Sequence, residues 1–314
     1  MRALWNWLLF VGAVLLGGAL LAPWLYQAGC FLARTFPGLR VLETMPFHRY
    51  VHRSLLLMAL AGLWPMLRAH GLSSLEDLGL GRGRNPTGQL LRGAIGGFLL
   101  VAVVAVFEVT LGPRMWDTGR QPEAIWRHGL NASSAALLVS PIEEILFRGA
   151  MLGSMARAAG PRIALVSSSL LYALVHFFER TRWTGPVEWT TGLTVLGGML
   201  RGLADCDTLV PAFFTLAMAG AVMGLIYQRT GALWMSMGFH AAWTFWIKTF
   251  AFATNQRPDT MQASAFWGTG KVVDGWLGLA VLVILLVILA RRLLVGEGGN
   301  AARASSNPPV ELAS

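Results

Sequence analysis

The chain has 314 residues, 55% of them hydrophobic and only 13% charged, and its mean hydropathy is +0.56. Such a composition excludes an ordinary soluble domain and requires lipid as solvent. The net charge of +9 would suit nucleic acid in a soluble protein, but here arginines such as Arg34, Arg40, Arg49, Arg53 and Arg92 sit in short connections between apolar stretches. There they meet lipid headgroups and fix topology, so no nucleic-acid partner is expected.

In chain order, the charge-poor stretches are 4–26, 54–70, 93–112, 131–155, 163–178, 208–228, 231–251 and 274–295. Each is long enough, at helical rise, to cross most or all of a hydrocarbon core about 30 Å thick. The first starts behind Arg2 and runs past Trp24 with no small-residue cleavage site, which predicts a retained anchor rather than a signal peptide. Between the second and third, Leu78–Gly88 is rich in glycine, yet no strand precedes it and the Rossmann spacing is absent, so it reads as a basic interfacial turn. The apolar piece 189–203 predicts a short or re-entrant helix. Cys30 and Cys206 are too few for a disulfide framework and read as small buried residues.

No extended strand-like alternation is present, and only helices or closed barrels satisfy the backbone in lipid. The expectation is an all-α, polytopic transmembrane helix bundle of about eight spans. No polar linker is long enough to divide it, so residues 1–296 read as one domain and 297–314 as a disordered polar tail. The tail ends Glu-Leu-Ala-Ser without cysteine, so the chain is not itself a prenylation substrate. Arg291, Arg292 and Arg303 favour a cytoplasmic C-terminus. Of the 25 basic residues only Lys248 and Lys271 are lysines. That bias suggests a GC-rich bacterial source and hence a multi-pass protein of the inner (plasma) membrane.

Ionisable side chains inside spans are costly and mark function or an internal pair. Ser140-Pro141-Ile142-Glu143-Glu144-Ile145-Leu146-Phe147-Arg148-Gly149 places two carboxylates and an arginine in an apolar helix. Adjacent residues diverge by about 100° on a helix, whereas residues four apart share a face. This spacing predicts a buried Glu144–Arg148 ion pair and leaves Glu143 aimed elsewhere, without a local partner, as a base able to take a proton from water. His176 closes the fifth apolar run, four residues after Tyr172; His240 and Thr244 lie four apart on the seventh. A glutamate and two histidines on three helices at membrane depth can converge only inside a bundle. Two chemistries are open: Glu143, His176 and His240 hold a divalent metal such as zinc, or they activate water directly. The absence of His-Glu-x-x-His removes the best-known zinc signature.

Over about 80–255 these residues resemble the CPBP family of membrane proteins, the CAAX proteases and bacteriocin-processing enzymes, which includes the type II CAAX prenyl endopeptidases. The resemblance is carried by Glu143-Glu144-Ile-Leu-Phe-Arg148, by Tyr172 to His176, by the run Gly224 to Trp234, and by His240 with its following turn. It implies that Glu143 and His176 activate the attacking water, that His240 and Thr244 stabilise the oxyanion, and that Glu144, Arg148 and Tyr172 support the site. Tyr172 stands where the family more often has phenylalanine, and Thr244 where it usually has asparagine. A hydroxyl still donates one hydrogen bond but reaches less far than an amide.

The implied function is an intramembrane endopeptidase that cleaves near the C-terminus of a membrane-anchored or lipidated substrate. Two other classes use the same residue types. A transporter or proton-coupled channel would carry inverted repeats and broken helices, and neither is visible in the sequence. A non-catalytic immunity or scaffold relative would tolerate loss of Glu143, His176 and His240.

Overall fold

The computed structural model describes residues 2–81, 85–178, 181–203, 206–257, 266–268 and 275–305. In chain order the elements are α1 (Arg2–Thr35), a 3-10 turn (Pro37–Leu42), α2 (Phe47–Ala69), α3 (Pro86–Thr110), β1 (Arg114–Trp116) and α4 (Pro122–Glu144). A π-helical segment (Ile145–Leu152) continues α4 and leads to α5 (Gly153–Ala159), α6 (Pro161–Val175), α7 (Thr191–Met199) and a 3-10 turn (Leu200–Leu203). The chain then forms α8 (Cys206–Thr230), α9 (Trp234–Ala253), β2 (Thr254–Gln256) and α10 (Trp276–Ser305).

The protein is an all-α polytopic membrane protein. Among the described residues, Arg2–Thr35, Phe47–Ala69, Pro86–Thr110 and Val210–Thr230 are long and apolar enough on their own to cross a membrane. The remaining predicted spans also coincide with helices. Of these, Pro161–Val175 and Trp276–Arg291 are apolar but short, whereas α4 carries its polar residues inside: Ser140 and Glu144 are fully buried, while Leu137 and Leu138 are 70% and 65% exposed. Polar residues point inward and leucines outward, the polarity expected of a helix in lipid. The piece 189–203 is the nine-residue α7 with its 3-10 extension, too short to cross.

Helix α10 continues to Ser305, into the stretch whose Gly, Ser and Asn content predicts disorder; 306–314 lie outside the described residues. Cys30 is buried, as expected, whereas the Cys206 side chain lies outside the description. The basic residues 82–84 of the stretch expected to be a turn lie outside the described residues; Asn85 follows, and its left-handed backbone (φ 56) and Oδ1, accepting from the Gly88 N–H at 2.9 Å, cap α3 ahead of Pro86.

The described chain divides into two compact units, residues 1–81 with 145–213, and 82–144 with 214–314. Two of the divisions, at 144/145 and 213/214, fall where the chain is continuously helical. A polar linker, the signal whose absence suggests one domain over 1–296, therefore does not mark them.

In the first unit α1 packs on α2 and α7 around Ala22, Phe47, Tyr50, Val51, Val195 and Met199. A polar tie crosses the α1–α2 contact, the Ser54 hydroxyl donating to the Gly18 carbonyl at 2.6 Å, and another joins α1 to α5, the Trp7 indole N–H donating to Ser154 Oγ at 2.9 Å. In the second unit α3 and α9 make the closest helix pair. Gly93 and Gly97, four apart on α3, lie against the backbone carbonyls of Met235 and Phe239, and Gly238 of α9 lies against the carbonyl of Leu90. A Cβ at any of the three would run into main chain, so small residues alone permit this approach.

A two-stranded antiparallel ladder joins the ends of these helices, pairing Arg114 with Gln256, Met115 with Asn255 and Trp116 with Thr254. Three-residue strands are too short to show alternation in a sequence. Beneath the ladder, Arg114 Nε pairs with Glu108 Oε2 at 3.5 Å, both side chains being buried.

Candidate active site

Glu143 and Glu144 stand at a weakened point of their helix. Pro141 removes a backbone donor two residues before the pair. Immediately after it, at Ile145, the hydrogen-bond ladder widens into the π-helical segment. Such departures from α geometry frequently accompany functional side chains.

The partner of this pair is His240. Glycine-mediated packing of α9 on α3, together with contact between α9 and α4, holds its ring in the interior, where it is 5% exposed. His240 Nδ1 lies 3.0 Å from Glu144 Oε1, and Nε2 lies 3.8 Å from Glu143 Oε2. A carboxylate only accepts, so Nδ1 carries the hydrogen and donates it to Glu144. Nε2 lies on the side of Glu143. Glu144 is fully buried, whereas the Glu143 side chain keeps 23% of its surface accessible. The two carboxylates thus differ in surroundings: one is sealed against the ring, the other is open on one side.

Both glutamates approach one imidazole, which adds a distant partner to each. The Glu144 carboxylate meets His240, a contact that four-residue spacing does not foresee. Glu143, expected to lack a local partner, has His240 within ion-pair distance. Divergence by about 100° does not keep neighbouring side chains apart when the third group sits between their directions. Thr244 lies one turn beyond His240 on α9 and is half-buried. Thr249 uses its hydroxyl on the Phe245 carbonyl at 2.8 Å; among the described residues Thr244 makes no such back-bond.

His176, Tyr172 and Arg148 belong to the other unit. His176 terminates α6, and its Nδ1 lies 2.7 Å from the Tyr172 carbonyl, one turn back. A carbonyl accepts, so here too Nδ1 carries the hydrogen. The Tyr172 ring lies 4.4 Å from that imidazole, meets Phe147 edge-on at 5.1 Å, and has the guanidinium of Arg148 4.4 Å over its face. Tyr172 and Arg148 are buried, while the His176 side chain is exposed. The aromatic four residues before His176 is therefore a packing platform for both the histidine and the arginine.

Among the described residues, no group of three or more His, Cys, Asp or Glu side chains is arranged to hold a metal ion. The contact that the sequence hid is that of Glu144 with His240. The two lie 96 positions apart, and no local spacing signals such a pair.

Fold and polar interior together define a polytopic membrane protein with acid–base groups built into its bundle. Comparison adds a similarity: residues 129–246 match the family model described as Type II CAAX prenyl endopeptidase Rce1-like. That segment contains Glu143, Glu144, Arg148, Tyr172, His176, His240 and Thr244, and it is narrower than the 80–255 over which the motifs suggest likeness. The match bears out the resemblance to CAAX proteases and supports a membrane-embedded protease as the general class. No curated protein and no solved structure matches the chain.

Proposed function

We propose that the protein is an intramembrane endopeptidase of glutamic type, hydrolysing a peptide bond near the C-terminus of a membrane-anchored or lipidated substrate in a bacterial plasma membrane. The observation that supports this best is the placement of His240 between Glu143 and Glu144. Glu143, the more accessible carboxylate, takes a proton from water as the oxygen attacks the scissile carbonyl, and returns it to the leaving nitrogen. His176 keeps the role the resemblance gives it, a second group on that water.

His240 serves the developing oxyanion. Its Nδ1–H is held by Glu144, which fixes the ring's orientation and tautomer. With a hydrogen on Nε2 as well, the ring donates to the oxyanion, and the two carboxylates beside it balance the charge. Thr244 adds a hydroxyl donor one helical turn away. Losing one oxyanion donor costs on the order of 3 kcal/mol of transition-state stabilisation, so a threonine that reaches poorly slows such an enzyme without abolishing it.

The test is cleavage by the purified full-length protein, in detergent, of a panel of lipidated and C-terminally anchored peptides. Cleavage of one class is expected, with Glu143→Gln lowering kcat by about 10³-fold and leaving elution and melting as in the wild type. An active panel indifferent to Glu143→Gln, or an inert one with intact protein, overturns the proposal.

A further inference from the structure

A second polar feature, independent of the proteolytic centre, stands at the start of α2. The sequence Phe47-His48-Arg49-Tyr50-Val51-His52-Arg53-Ser54 repeats a His-Arg pair at an interval of four, which stacks the two pairs on successive turns of one face. The opposite face is fixed: Phe47, Tyr50, Val51 and Ser54 are buried, Tyr50 Oη donates to the Leu42 carbonyl at 2.6 Å, and Ser54 donates to Gly18. The basic face is thereby held outward. His48, Arg49, His52 and Arg53 line an open cavity of about 450 Å³.

Three further observations give this cavity its sign and its surroundings. No side chain caps the start of α2, and its first turn holds no acidic residue. The backbone N–H groups and the positive end of the helix dipole therefore add to the side-chain charge. The neighbouring carboxylate, Glu43, is engaged 3.6 Å from Arg34. Finally, α2 is apolar and long enough to cross a membrane, and the charge-poor run within it begins at Ser54, directly after the basic pairs. That order sets the cavity at the depth of lipid headgroups.

We propose that this cavity is a binding site for a phosphate-bearing anion, occupied by the headgroup of an anionic bilayer lipid. Arg49 and Arg53 offer planar guanidinium forks that match phosphate oxygens, and His48 and His52 add ring N–H donors. The volume accommodates a headgroup rather than a bare phosphate alone.

The test uses full-length protein in neutral detergent. Native mass spectrometry follows retention of phosphatidylglycerol against phosphatidylcholine, and thermal melting follows the effect of millimolar inorganic phosphate. Retention of phosphatidylglycerol about tenfold above phosphatidylcholine is expected. It should fall about tenfold in R49Q/R53Q, and survive in R49K/R53K and in the control pair R127Q/R162Q. A melting shift by inorganic phosphate that R49Q/R53Q removes, without lipid preference, supports the anion site with a soluble phosphate as occupant. Neither effect, or equal loss in the control pair, overturns the site. If the double variant does not elute as the wild type, the single variants R49Q and R53Q carry the reading. Peptidase activity is no readout here, so this outcome and that of the proteolytic proposal are separable.

Discussion

His240 and His176 each turn Nδ1 toward an acceptor, in opposite settings. His240 is buried on α9, and its partners come from another helix nearly a hundred residues away. His176 is exposed at the end of α6, and its partner is the carbonyl of its own helix one turn back. The first ring is positioned by tertiary packing and has a carboxylate toward each nitrogen. The second is positioned locally, on a platform of Tyr172 and Arg148. If both serve one reaction, the first is the more sensitive to its neighbours and the second the more sensitive to its own removal.

Substitutions can break or sharpen this contrast. The largest effect after Glu143→Gln is expected from His176→Ala, on the order of 10²- to 10³-fold in kcat. In the double variant with Glu143→Gln the losses should fail to add, as for residues that act on one water; additive losses, measured by single-turnover cleavage, would separate their roles. Glu144→Gln is expected to cost about 100-fold in kcat with KM little changed, because the amide no longer enforces the ring's tautomer. Tyr172→Phe, which leaves the backbone carbonyl in place, should stay within about threefold. A Glu144→Gln enzyme with wild-type kcat would assign that carboxylate to packing alone.

Smaller changes follow on α9. Thr244→Val is expected to lower kcat about tenfold, and Thr244→Asn to match or exceed the wild type, because an amide reaches further than a hydroxyl. Gly97→Val tests the scaffold instead of the chemistry: a side chain meeting the Phe239 carbonyl forces α3 from α9. A loss of about 1–3 kcal/mol in stability is expected in detergent melting.

The smallest effect is at the rim. Asp117 accepts from the Gly119 N–H at 3.0 Å and from Asn255 Nδ2 at 2.9 Å, and Arg120 lies 2.8 Å away. The Gly119 amide bond first, and the Asn255 bond next, hold its carboxyl below the usual carboxylate range. A carboxyl depressed in the folded state contributes stability present above its unfolded value, about 3.9, and lost as pH falls through the folded value. Hydrogen exchange at Gly119 should therefore be slow at pH 5, after correction for the intrinsic rate, and quicken only below about pH 4. Unchanged protection through that window would remove Asp117 as the clasp of the ladder.

The membrane class was legible because hydropathy is additive along the chain: lipid demands helices, and helices in lipid demand apolar residues whatever they pack against. The motif residues were legible for a related reason, since a charge at membrane depth is conspicuous. Tyr172 beneath His176 is a neighbour that four-residue spacing foresees. What packing alone decided is the division into two units within continuous helices, the approach of α3 to α9 over Gly93 and Gly97, and the meeting of Glu144 with His240. Each depends on which helix faces which, and side chains far apart in sequence meet only after the bundle has chosen its neighbours.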